Sequence, residues 1–445
     1  MRASPESRNR GCRGLRIAIP AALVALATAA PAQAEVSSET AYVLNTFSFL
    51  IHGALVLWMA AGFAMLESGL VRTKSVTTIL LKNLALFSIA GVTYFLVGYN
   101  LMYDGVDGGL IGNPGWWGAD DGAALDGDFS AGYAASSDWF FQMVFVATAA
   151  SIVSGALAER IKLWPFLAFV TVLTAVIYPV QGAWQWGGGW LSELGFADFA
   201  GSTIVHSVGG WAALTGAIIV GARRGKYLEN GRVAAMPGSS LPLATLGTFI
   251  LWLGWLGFNG GSQLALGSAG DAIAIANIYA NTTIASAGGV LAAMGLSQIL
   301  DRKVDLTMAL NGALAGLVSI TAGPDTPTLG AALLIGSIGG ALVVVTVPLL
   351  DRLRIDDVVG AIPVHLVAGI WGTMAVPLTN GDASFVTQAI GVIAIGAFVV
   401  ASSTAVWLIL KALVGLRLSA EAETQGVDEA ETGMRAYPEF GLPQR

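Results

Sequence analysis

The stretches DFAGSTIVH at residues 198–206 and DVVGAIPVH at 357–365 spell nearly the same phrase, each ending in one of only three histidines among 445 residues. Aligned without gaps, 198–210 and 357–369 share D-x2-G-x3-V-H-x-V-x-G. The matches are Asp198, Gly201, Val205, His206, Val208 and Gly210 against Asp357, Gly360, Val364, His365, Val367 and Gly369. An Asp-to-His phrase written twice in a chain so poor in ionisable side chains calls for a physical reason.

The surroundings of both phrases are apolar. The chain is 55% hydrophobic and 11% charged, against roughly a quarter charged in ordinary soluble domains. Its apolar runs are about 20 residues long, which at about 1.5 Å per residue spans a hydrocarbon core as helix. Eleven spans are predicted, beginning near residues 42, 78, 137, 163, 201, 241, 272, 306, 327, 358 and 386. The fold class expected is an all-α polytopic membrane protein.

Residues 1–34 differ: five arginines, the run IAIPAALVALATAA and a small-residue site AQA ending at Ala34. This is the pattern of a cleaved secretory signal peptide; the other reading is a twelfth transmembrane helix, against which stand a short apolar region and Pro20. Cleavage would remove the only cysteine, Cys12, and with it disulfide or thiolate chemistry. Of the twenty-two Lys and Arg, seventeen follow this segment, and all lie at or near alternate loops or the tail, Lys82 included. Because such residues are retained on the cytoplasmic side of short loops, the N-terminus is expected outside and the C-terminus inside. The glycine-rich acidic loop at 104–135 then faces outward. Residues 35–415 form the helical domain and 416–445 the tail. No phosphate loop or dinucleotide fingerprint appears, since GARRGKY lacks the spacing, and nothing points to nucleic acid.

The repeated phrases open spans 5 and 10. Five spans separate them, so they start from opposite faces, the mark of an inverted 5+5 repeat followed by a final helix; such repeats hold substrate near the midplane. Eight residues of helix rise about 12 Å, so each histidine is expected about that far inside its own face, where the two can meet. Each Asp stands at a helix start, where capping backbone N–H groups is the ordinary role. His52, in span 1, reads as a satisfied core residue. For the pair, a pathway role is favoured because intramembrane ionisable groups are costly; two neutral imidazoles can share one N–H···N bond and leave the outward nitrogens for a small polar solute. A dinuclear metal site is the competing reading, but the carboxylates or further imidazoles it needs are not evident.

The phrases GFAMLESGLVRTKSV, FFQMVFVATAASIVSGALAERIK, WQWGGGW, ADFAGSTIVH, GWLGFNGGS, NGALAGLVSITAG, DDVVGAIPVHLVAGIWGT and GVDEAETGMRAYPEF resemble, in order and almost along the whole chain, the ammonium transporter family (Amt/Mep/Rh), on its Amt branch. The resemblance implies eleven helices per subunit, a homotrimer in the inner membrane, one pore per subunit, no cofactor and no enzymatic activity. His206 and His365 correspond to twin pore histidines, Phe145 and Phe258 to stacked gate phenylalanines, and Phe145, Trp186 and Ser262 to an outer ammonium recruitment site. Asp198 corresponds to the acidic residue needed near that site, and Phe141, Gln142 and Thr321 to pore-mouth positions. A PII-type regulatory protein at the cytoplasmic face is a further family expectation.

Side-chain chemistry gives these roles a reason. Aromatic faces attract a cation by about 0.5–2 kcal/mol each without trapping it, and a serine hydroxyl can accept an N–H bond. An unpaired cation in a dry pore costs far more than a neutral amine that keeps a hydrogen bond, so loss of a proton lets ammonia pass where potassium cannot follow. The expected function is ammonium transport. An ammonium sensor and a membrane metalloenzyme built on His206 and His365 are the alternatives.

Overall fold

A computed structural model describes residues 36–440; the signal-peptide reading lies outside the described residues. Eleven apolar helices follow one another: α1 Ser38–Leu70, α2 Thr73–Tyr103, α3 Ala135–Ala156, α4 Leu163–Ala183, α5 Ser202–Val220, α6 Leu241–Gly261, α7 Ala269–Asp301, α8 Leu306–Ile320, α9 Leu329–Arg352, α10 Ile362–Leu378 and α11 Phe385–Leu413. Nine are long enough to cross a membrane, and α8 and α10 are shorter. Among the described residues there is no β-strand, only two isolated bridges. The architecture is the all-α membrane fold expected, with α1 packed along α6 as the opening helices of the two halves and α5 crossing α10 at the centre.

The repeat is a structural one. Asp198 accepts the N–H groups of Gly201, Ser202, Thr203 and Ile204 at 2.8–3.1 Å, and Asp357 those of Gly360 and Ile362 at 3.1 and 2.7 Å. Gly201 (φ 103°) and Gly360 (φ 82°) take the left-handed turn that glycine allows without strain. Each helix then opens in π geometry, over Ser202–Ser207 and Ile362–Val367, a form that clusters at functional sites. One turn later, a Cβ on Gly210 would stand 2.7 Å from Leu366, and one on Gly369 would stand 2.5 Å from the Ser202 carbonyl. The matched glycines therefore let α5 and α10 cross almost backbone to backbone.

Two expectations are corrected here. The first four residues of each phrase are not helical, so the rise from Asp to His is not eight residues of helix. The histidines meet because both helices begin inside the molecule, with the Asp carboxylate taking the N–H groups that water would otherwise satisfy. Lys82 is not a loop residue. It lies within α2, 2% exposed, donating to the Ser154 carbonyl at 3.0 Å and standing 4.2 Å over the Phe166 ring.

The other arginines and lysines among the described residues gather at the end of the bundle that carries the tail, and several are knotted together. Arg223 bonds Asp356 through Nε and an amino group at 2.8 and 2.9 Å and lies 3.4 Å from Glu159. Glu159 also receives Arg72 Nε at 2.5 Å, while Arg160 donates to the carbonyls of Ala156, Gly221 and Asp356. The tail closes over this knot: Arg417 pairs with Glu423, and Asp428 accepts the N–H groups of Thr77 and Thr78.

Candidate functional site

At the end opposite the tail, a basin of about 570 Å³ is walled by aromatic rings and a few polar groups, among them Trp186, Phe141, Phe145, Gln142 and Ser262. Trp186 is held by its indole N–H, which donates to the Asp198 carbonyl at 2.9 Å. Ser262, the residue just past α6, donates its hydroxyl to the Phe258 carbonyl at 2.8 Å, which leaves its oxygen lone pairs free. Asp198 does not border the basin. Its carboxylate is fully engaged at the start of α5, and it serves the basin through the backbone carbonyl that fixes Trp186.

The acid that does border the basin is Asp138, which takes the Tyr99 hydroxyl and the Gln142 amide. Sequence reasoning did not single out Asp138, which stands in the first turn of α3, where an acidic residue carries no sign of a further role. Its setting depends on Tyr99, a contact across 39 positions.

Below the basin floor the Phe145 and Phe258 rings stack at a centroid distance of 4.0 Å, with Phe141 4.8 Å from Phe145. Phe258 is 5.2 Å from His206, and His206 is 5.2 Å from His365. The Nδ1 atoms of the two imidazoles are 3.2 Å apart. One Nδ1 must donate and the other accept, so one histidine presents Nε2 as an acceptor and the other as an N–H donor. His206 Nε2 is buried and has no hydrogen-bond partner among the described residues. The His206 ring is pinned from the side by Trp255, stacked at 4.9 Å, and the Trp255 indole N–H donates to Thr321 Oγ1 at 2.8 Å. Thr321 thus acts on the histidine at second hand, away from the basin mouth. Trp255 was missed by sequence reasoning, since a tryptophan inside an apolar run carries no local sign of its partner.

His52 stands apart from this line of residues. Its Nδ1 meets Ser48 and its Nε2 the Tyr279 hydroxyl, each at 3.0 Å, so both nitrogens are satisfied. Among the described residues no three His, Cys, Asp or Glu side chains gather as metal ligands.

Basin, stacked phenylalanines and histidine pair form a single line through the molecule, and residues 47–437 match the model of the Ammonium Transporter Family. The chain belongs to the ammonium transporter family. It is 40% identical to the ammonium transporter Amt2 of Archaeoglobus fulgidus, with 94% of this chain and 93% of that one covered. Amt2 of Haloferax mediterranei is 41% identical over 87% of this chain and 89% of its own. Among solved structures, a sensor Amt protein superposes with a TM-score of 0.82 at 36% identity, covering 88% of this chain and 98% of that one. Mep2 of Saccharomyces cerevisiae gives 0.73 at 26% identity, covering 85% and 88%. As a member of this family the chain is a multi-pass membrane protein built for ammonium transport.

Proposed function

We propose that ammonium is captured in the basin by Trp186, Phe145 and Ser262, loses a proton, and crosses as ammonia past Phe145 and Phe258 along His206 and His365. Asp198 contributes by fixing Trp186 and the start of α5. The observation that carries this reading is the buried, partnerless Nε2 of His206 beneath the phenylalanine stack. An unpaired polar atom in an apolar interior costs about 1–3 kcal/mol, and a small hydrogen-bonding solute would relieve it. A pore lined by two imidazoles and rings offers ammonia one bond after another, whereas an intact cation would cross without a counter-charge.

The basin faces outward in this reading and the arginine-rich end faces the cytoplasm, by the retention of Lys and Arg on that side. Residues 1–34 direct the chain to the inner membrane and are removed, 35–415 transport, and 416–445 form the cytoplasmic tail. Three copies assemble, each with its own pore, and the tail end offers a surface to a PII-type regulator. The test is ammonium uptake and current in proteoliposomes under an ammonium gradient. Uptake that saturates and excludes potassium is the expected result; a chain that passes potassium as readily, or takes up no ammonium, would defeat the reading.

A further inference from the structure

On the tail side of the histidine pair lies a second, much smaller cavity. It has about 10 Å³ of free volume, the room of about one water-sized molecule. Phe63 and Val364 supply apolar wall, and His365, Glu67, Asn311 and Ser151 supply polar wall.

Glu67 is the unexpected member. It sits inside α1 and is 1% exposed. One oxygen, Oε2, takes the Asn83 amide and the Ser154 hydroxyl, each at 2.9 Å. The other, Oε1, accepts no hydrogen bond among the described residues. Lys82 makes no direct ion pair with it: that ammonium donates to the Ser154 carbonyl and stands over the Phe166 ring, and its charge acts on Glu67 only through space. A carboxylate inside a membrane bundle without an ion-pair partner is a marker of solute binding.

The other polar groups match in kind. Asn311 donates its amide N–H to the Val359 carbonyl at 3.2 Å, which leaves its side-chain oxygen to accept. Ser151 donates to the Ala147 carbonyl at 3.1 Å and keeps its lone pairs. His365 spends Nδ1 on His206, and Nε2 is an acceptor whenever Nδ1 carries the proton. Four acceptors around one water-sized space suit a cation with four N–H donors. Asn311, Val359 and Gly360 also border the wider mouth of about 460 Å³ at the tail end, which gives the cavity its approach.

We propose that this cavity is a second ammonium site, filled from the tail-side compartment, in which Glu67 takes the charge while Asn311, Ser151 and His365 accept the remaining N–H bonds. Occupied, it stands against His365 and blocks delivery of the next ammonia, so accumulated ammonium restrains its own entry. The proposal rests on the transport reading above.

The experiment uses the full chain in proteoliposomes with the tail end inward. One-way influx of 15N-labelled ammonium is measured against rising unlabelled ammonium inside, for wild type, Glu67→Gln and Asn311→Leu at matched folded yield. Glutamine can still accept from Asn83 and Ser154 while removing the charge. Internal ammonium is expected to inhibit wild type, and at least ten-fold more of it is expected to be needed in Glu67→Gln. Should that variant fail to fold, Asn311→Leu, which takes one acceptor from the same cavity, is expected to show the same relief. Wild type insensitive to internal ammonium, variants inhibited as strongly as wild type, or a folded Glu67→Gln chain without any influx would each overturn the site. Absence of influx in wild type would instead defeat the transport reading.

Discussion

A single hydrogen bond sets the scale of what each pore residue can contribute. In the transport reading, replacing His206 or His365 by Ala removes a partner for ammonia in a passage with no water to substitute, a loss of about 1–3 kcal/mol. That is about one to two decades in rate, and uptake by folded His206→Ala and His365→Ala chains should fall by that much. Wild-type uptake in both would mean that the 3.2 Å contact between the rings serves packing alone. Thr321→Val is a subtler case. It removes the acceptor of the Trp255 indole N–H and loosens the ring stacked on His206, so uptake should drop while ammonium capture in the basin, read by cation quenching of tryptophan fluorescence, stays unchanged.

Between elements, buried charge decides which ends of helices stay together. Burial alone would raise the pKa of Asp356, which lies between α9 and α10, but the Arg223 hydrogen bonds and charge, helped by Arg160, outweigh it and hold the carboxyl at about 2. Because this folded value lies below the unfolded one of 3.8, the pairing contributes about 2 kcal/mol, fully present above about pH 4 and lost as pH falls toward 2. Thermal unfolding of the detergent-solubilised protein should therefore show a drop in that window which Asp356→Asn lacks. Asp356→Ala should cost about 3 kcal/mol at neutral pH, by removing the charged hydrogen bonds to buried Arg223 and leaving it only Glu159, 3.4 Å away. The crossing of α5 and α10 is limited by size instead. Gly369→Leu would drive a side chain into the Ser202 carbonyl, 2.5 Å from where its Cβ must sit, and the yield of folded protein should collapse.

For the whole molecule, orientation and assembly are the quantities to measure. Asn230 and Asp126 are both exposed, on loops at opposite ends of the bundle. In a Cys12→Ser background, Asp126→Cys should react with an impermeant thiol reagent in intact spheroplasts and Asn230→Cys only after permeabilisation; the reverse would invert the topology. Native mass measurement should give three chains of the processed length. The eleven spans were legible because a run of about 20 apolar residues has few alternatives to crossing a membrane as helix. The inner wall of the pore was less legible, although the rarity of ionisable residues inside spans was a signal that pointed to Glu67 and Lys82. Lys82 was instead absorbed into the loop pattern because the boundary of α2 was placed several residues late.

By itself, the sequence determined the membrane class, the number of spans, the alternation of charged loops and the two Asp-to-His phrases, since each is a matter of local composition or of identical spacing. Tertiary structure alone decided that Asp198 turns its carboxylate into its own helix start while Asp138 borders the basin. It also decided that Trp255 and Thr321 fix His206, and that Glu67, Asn311 and His365 share one small cavity. These groups lie tens to hundreds of positions apart in the chain. A side chain's hydrogen-bonding capacity is written in its residue type, but which partner uses it depends on the crossing of helices, and that crossing is set by packing over the whole bundle.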